Sequence, residues 1–193
     1  MRSSMLLVFL PLFLGAGLGG ACLGACAQTK TAAAPTPPAP VAPATLGNLK
    51  KVSAAGGMWL AGQPSAEDFA LLPGLGVKTV INLRPTKEQT DLDEKAHVEG
   101  LGLTYVNVPF GSPAELNDGI FAETRRLLAE TAQPFLLHCA SANRVGAVWI
   151  PFRVLDQGVE LEAAVAEAKA IGLKTPEYEA MARDYVARHA APK

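Results

Sequence analysis

The hydrophobic positions of this 193-residue chain form short apolar runs separated by longer amphipathic stretches. Met58-Trp59-Leu60-Ala61 predicts a first strand, and the turn Gly62-Gln63-Pro64 follows it. Ser65 then caps a helix, with Asp68 at the position of a capping-box acid, and Pro73-Gly74 stops that helix near Leu72. Residues 78–83 (KTVINL) are β-branched and predict a second strand, ended by Arg84-Pro85. Residues 86–100 carry charge along their length and predict an exposed helix. Residues 103–108 (LTYVNV) predict a third strand, ended by Pro109. After a loop over 110–117, a helix over 118–131 places Ile120, Phe121, Leu127 and Leu128 on one buried face. Residues 135–138 (FLLH) form a fourth strand, and three helices follow: one from Arg144, one over 160–171 and one over 176–189. Pro151 predicts a kink or an early end in the first of these.

Strands alternating with helices predict an α/β fold: a central parallel sheet of about four strands, flanked by helices and joined by right-handed crossovers. Ligands of such sheets bind beyond the carboxyl ends of the strands. Arg84, the loop over 110–117 and the residues after His138 all lie at those ends. Trp59, Trp149 and Phe152 read as core, and His97 and His189 as surface residues.

The front of the chain departs from this pattern. Arg2 and the apolar run from Met5 to Leu18, followed by small residues, have the form of a secretory signal. Leu23-Gly24-Ala25-Cys26 resembles a bacterial lipobox, in which Cys26 is acylated after cleavage and anchors the chain to the membrane. Ala25-Cys26-Ala27 also fits ordinary cleavage before Gln28; Pro11 and the glycines argue against an uncleaved anchor helix. Every reading exports the protein from a bacterial cytoplasm, to the periplasm or to a membrane surface. The expected division is therefore a signal over 1–26, a Pro/Ala-rich tether over 27–46 and one folded domain over 47–193. A net charge of −1 with no Lys/Arg-rich run argues against a nucleic-acid partner.

Once Cys22 and Cys26 are assigned to the signal, Cys139 is the one thiol left for the domain, which excludes an intramolecular disulfide there. It ends a strand, precedes small and polar residues, and is separated by four residues from Arg144 at the start of a helix. A strand–loop–helix junction of this kind gathers unpaired backbone N–H groups in a helix-dipole field, which binds anions and favours a thiolate. Arg144 adds a planar fork suited to two oxygens of a phosphate. The plainer alternative is a buried, inert cysteine.

Four stretches in order resemble the cysteine-dependent protein-tyrosine and dual-specificity phosphatase superfamily: residues 61–65 (AGQPS), 77–84 (VKTVINLR), 105–109 (YVNVP) and 138–146 (HCASANRVG). The nearest likeness is to a bacterial branch found with β-lactamase-like hydrolases, and it covers residues 56–157. The resemblance implies a dual-specificity-phosphatase-like fold and attack on phosphorus by Cys139. It implies phosphoryl binding by the Ala140, Ser141, Ala142 and Asn143 loop with Arg144, and no metal or cofactor. The partner is then a phosphorylated protein or small molecule, phosphotyrosine included. His138 would orient the loop or serve as a buried strand histidine, and both roles are compatible. Arg84 would extend the anion site or pair with Glu88 or Asp91.

Departures from the pattern bear on activity. The usual loop acid is replaced by Ser112, so the proton donor falls to Glu115 or to Asp118, which also reads as an ordinary helix-start residue. Ala142 occupies a position that is commonly glycine; a left-handed conformation there costs alanine about 1–2 kcal/mol. Val145 replaces a hydroxyl residue, which slows phosphoenzyme breakdown unless Ser141 supplies a hydrogen bond. Four residues between cysteine and arginine, rather than five, also suit a rhodanese-like sulfurtransferase that carries a persulfide on Cys139. A catalytically weak oxyanion-binding module is the third reading.

Overall fold

The computed structural model describes residues 38–90 and 92–190. The leader, Cys22, Cys26 and most of the tether lie outside the described residues, as does Asp91. Within them a six-stranded sheet runs in the order β1-β2-β3-β6-β4-β5. The expected four parallel strands form one side of it: β3 (Met58–Ala61), β6 (Phe135–His138), β4 (Thr79–Asn82) and β5 (Thr104–Asn107). Two antiparallel strands, β1 (Ala42–Pro43) and β2 (Val52–Ala55), extend the other side, so the sheet is mixed and has six strands rather than four. The sheet thus starts within the stretch read as tether, and Leu46 is already buried. Val52-Ser53-Ala54-Ala55 is short and only partly apolar, which is why its periodicity did not announce a strand.

The central strand β6 is buried on both faces, and its alternation divides the core. Phe135 and Leu137 point into the larger cluster, with Phe121 and Leu128 of α3 (Asp118–Glu130), Trp149 of α4 (Asn143–Pro151), Val165 of α5 (Leu161–Ile171) and Tyr185 of α6 (Pro176–His189). Leu136 faces the other way, toward Phe69 of α1 (Ala66–Leu71) and Val98 of α2 (Glu94–Gly100). The capping box of α1 is present in full, with Ser65 Oγ accepting from the Asp68 N–H and the Asp68 carboxylate from the Ser65 N–H.

The charged stretch over 86–100 is not one exposed helix. It forms a 3₁₀ turn (Thr86–Glu88) and then α2, whose first residue Glu94 is only 1% exposed. Helix α4 is buried from Arg144 to Pro151. It passes so close to α5 that a Cβ on Gly146 would stand 2.8 Å from the Ala168 carbonyl oxygen. At Pro151 the α-helix gives way to a π-helical turn (Phe152–Asp156), the early end expected of an internal proline.

Candidate active site

The parallel strands end in a single row, in which Ala61 and Asn82 both align with His138, and Asn107 aligns with Asn82. Cys139 is the next residue. Its N–H donates to the Ala61 carbonyl at 3.3 Å, and its side chain is free and buried. The Ala140 carbonyl accepts from the Gln63 N–H at 3.2 Å, and Ser141 bridges to Gly62. Ala142 then adopts φ 64°, ψ 1° to open α4, the left-handed conformation anticipated for it. Ala142 offers no capping side chain, so the unpaired N–H groups of the first helical turn remain available to an anion.

Arg144 lies in that first turn and is 8% exposed. Its Nη1 donates to the Phe110 carbonyl at 2.8 Å and to Glu88 Oε1 at 3.1 Å, and its Nη2 donates to Glu88 Oε2 at 2.6 Å. Glu88 therefore grips the guanidinium end-on through both Nη atoms and leaves the Nε edge outside the pair. Burial works against the arginine's charge, but Glu88 and the Cys139 sulfur outweigh it and hold Arg144 above its ordinary pKa. For Glu88 burial pushes the carboxyl up, while Arg144 and then Arg84 outweigh it and hold it below the usual range. Arg84 itself donates to the Gln63 side chain and to the Glu88 carbonyl, with its Nε 3.7 Å from Glu88 Oε2. It serves the residue that holds Arg144 and pairs with Glu88, the second of its two expected roles.

Beneath the loop, Glu94 is the hub of a buried network. Its Oε1 accepts from Asn82 Nδ2 at 2.6 Å and lies 3.1 Å from His138 Nε2; its Oε2 accepts from Gln63 Nε2 at 2.7 Å. Burial raises its carboxyl pKa, but His138 and Gln63 outweigh this and hold it below the ordinary value. His138 is thus a hydrogen-bonded strand histidine, and its link to Gln63 through Glu94 runs back to the Cys139 loop. The signal for Glu94 was present but weak: it stands four residues before the buried Val98, on the same helical stripe.

The two candidate acids separate. Glu115 Oε2 accepts from the Gly111 N–H at 2.7 Å, and its charge acts on the buried Tyr178 phenol, as do those of Cys139, Glu88 and Arg144. Burial and the nearby anions raise the Tyr178 pKa, against Arg144. Asp118 instead takes Arg188 of α6 at 2.6 and 2.8 Å, which holds its carboxyl below the ordinary range, and Asn117 rather than Asp118 caps α3. The expectation of Asp118 as proton donor therefore yields to its helix-start reading. Asn143 is likewise redirected: its side chain accepts from the Lys174 and Thr175 N–H groups and donates to Thr175 Oγ1, which turns it toward the start of α6. Tyr178 and Glu94 are neighbours that the sequence did not reveal, and Glu88, expected only as a partner of Arg84, also holds Arg144.

Residues 54–155, just over half of the chain, match the family described as beta-lactamase hydrolase-like protein, phosphatase-like domain. The chain belongs to that family. A beta-lactamase hydrolase-like protein of Agrobacterium fabrum is 29% identical over 105 residues, covering 52% of this chain and 24% of the relative. One from Xylella fastidiosa is 26% identical over 135 residues, covering 61% of this chain and 31% of its own length. The phosphatase-like domain thus aligns with less than a third of these relatives. Among solved structures, a DUF442 protein of Shewanella putrefaciens superposes with a TM-score of 0.63 at 20% identity, covering 76% of this chain and 97% of that one. A cysteine-to-serine variant of Pseudomonas aeruginosa TpbA in complex with phosphotyrosine gives 0.63 at 21%, covering 80% and 98%. These likenesses establish a dual-specificity-phosphatase-like fold.

Proposed function

We propose that this phosphatase-like domain is an exported phosphomonoester hydrolase that works through a cysteinyl-phosphate. The Cys139 sulfur attacks phosphorus and the ester P–O bond breaks, with Glu115 protonating the departing oxygen. Water then attacks the phosphorus, the S–P bond breaks, and orthophosphate leaves while Glu115 accepts the water proton. Loop amides and the Nε edge of Arg144 hold the phosphoryl oxygens in both steps. The observation that carries this reading is the pairing of a buried Cys139 with an Arg144 whose far edge is already fixed by Glu88. The phosphotyrosine bound by the TpbA variant puts aryl phosphates first among the esters to test. Export and a lipid anchor at Cys26 rest on the leader sequence alone.

The spacing of four residues between Cys139 and Arg144 supports a second reading. In it Cys139 takes the outer sulfur of thiosulfate, releases sulfite, and passes the sulfur from its persulfide to an acceptor. One assay separates the readings: the purified chain is given an aryl phosphate, or thiosulfate with cyanide. Phosphate release that Cys139→Ser abolishes is the expected result. Thiocyanate formation without phosphate release would replace hydrolysis by sulfur transfer. Binding of orthophosphate or vanadate without either product would leave a weak oxyanion-binding module.

A further inference from the structure

Beside the cysteine loop lies a groove of about 560 Å³, whose lining includes Ala140 and Ser141 of that loop together with Lys50 and Lys51. A smaller cavity of about 290 Å³ continues from Lys50 and Lys51 to Lys174. The backbone ties these walls together. Gly62 donates its N–H to the Lys51 carbonyl at 3.1 Å and forms the bridge to Ser141, while the Asn143 side chain holds the Lys174 N–H at 2.7 Å. The lysines are therefore anchored to the same short loop that carries Cys139.

Their charges are uncompensated. Among the described residues, none of the ion pairs involves Lys50, Lys51 or Lys174, and neighbouring Lys169 is taken by Glu179 at 3.0 Å. Asp68 also borders the groove, but its two oxygens accept from the Asn48 and Ser65 N–H groups. Lys51 and Lys174 line the smaller cavity together, and the nearby Lys174 ammonium holds the Lys51 pKa below its ordinary value. Two like charges held together, with no anion between them, make a site that a dianion would relieve.

We propose that the substrate carries a second phosphate group beyond the one transferred, and that Lys50, Lys51 and Lys174 receive it where the groove and the smaller cavity share Lys50 and Lys51. The proposal rests on the cysteine loop being the phosphoryl site and narrows its substrates to bisphosphorylated compounds. Ammonium groups on flexible stems suit such a role, since they bind a phosphate as point charges without fixing its orientation.

Calorimetric titration with phosphonates tests it without turnover. Methylphosphonate should occupy the loop alone; alkane-α,ω-bisphosphonates of increasing length should include one that binds roughly tenfold tighter, at one equivalent per chain. The double variant Lys51→Gln, Lys174→Gln should return that compound to the methylphosphonate level while changing methylphosphonate affinity by under about twofold. The subsite is refuted if no spacer gains affinity, or if the gain survives the double variant. Two independent equivalents of methylphosphonate with no bisphosphonate gain would likewise refute it, since the lysines would then hold free phosphate. If methylphosphonate itself does not bind, the hydrolase reading falls with it; if it binds and only the spacer effect is missing, the subsite alone falls.

Discussion

The two sides of the cysteine loop are built differently. Toward α2, the Glu94 carboxylate is 1% exposed and meets Asn82, Gln63 and His138. Toward the loop over 110–117, the Glu115 side chain is 47% exposed, accepts one backbone N–H and stands 3.8 Å from Lys87. A carboxylate satisfied on every side is rigid, but it is hard to protonate and poorly placed to exchange a proton. A half-exposed one contributes little to the fold and can donate and recover a proton freely. On the proposed mechanism, the fold thus holds Arg144 and the Cys139 loop firmly, and proton transfer falls to the less constrained side.

The comparison breaks first if Glu94 proves dispensable. Glu94→Ala strands buried donors of Asn82 and Gln63 together with the His138 ring, and should cost about 3–5 kcal/mol, the range for breaking a buried charged partnership. Urea unfolding with an unchanged m-value would measure it. A loss under about 1 kcal/mol would mean that the network is better hydrated than its burial implies.

On the other side the expectation is reversed. Glu115→Gln should shift stability by no more than about 0.5 kcal/mol, as surface substitutions do. It should also lower kcat by about 10²-fold on an alkyl phosphate, the lower end of what a general acid contributes. An aryl phosphate, whose leaving oxygen needs less protonation, should be affected much less. Equal losses on both esters would remove Glu115 from the proton-transfer role and turn attention to the buried Tyr178 phenol.

Glu88 sits between the two regimes, half-buried against Arg144. Glu88→Gln keeps the shape and removes the charge, so phosphate affinity should fall roughly tenfold as the guanidinium loses its end-on hold. Its pH dependence has a definite sign. The folded pKa of Glu88 is depressed, so its stabilising contribution is fully present above the unfolded carboxylate pKa of about 4.3 and is lost as pH falls through the lower folded value. The stability gap between wild type and Glu88→Gln should therefore be constant near neutrality and close below about pH 4. A gap that persists in acid would mean that the pair does not act through charge.

The same contrast explains which parts were legible in the sequence. Four of the strands, the capping box of α1 and the Cys139–Arg144 junction follow local rules, apolar periodicity and the chemistry of neighbouring residues, and all stand where the pattern put them. Glu88 and Glu94 resisted because they belong to a stretch rich in charge, where periodicity is weak. Only the long-range meeting of α2 with β4 and β6 shows that one of these acids is buried. Strands β1 and β2 resisted for a related reason: Ala42–Pro43 pairs in a sheet although its own sequence reads as tether. Asp118 and Asn143 could be recognised as helix-start and loop residues, but their partners, Arg188 in the far C-terminal helix and Thr175 at its N-cap, lie beyond the reach of local spacing.

The smallest effect concerns Ala142, where local strain was correctly foreseen and its consequence is easily overstated. Glycine at φ 64° would relieve about 1–2 kcal/mol. It would also enlarge the unfolded ensemble by about 0.4–1 kcal/mol and remove a buried methyl group worth about 0.8 kcal/mol. That methyl is fully buried, and Gly172 is so close that a Cβ there would stand 3.1 Å from it. The opposing contributions nearly cancel, so Ala142→Gly should change unfolding free energy by less than about 1 kcal/mol. Ala142→Val, β-branched at positive φ, should be clearly destabilising. If the glycine variant were instead stabilised by about 1.5 kcal/mol or more, packing against Gly172 would be contributing nothing. The cysteine loop would then have to be counted as strained on its rigid side as well, and the contrast between its two sides would lose its physical basis.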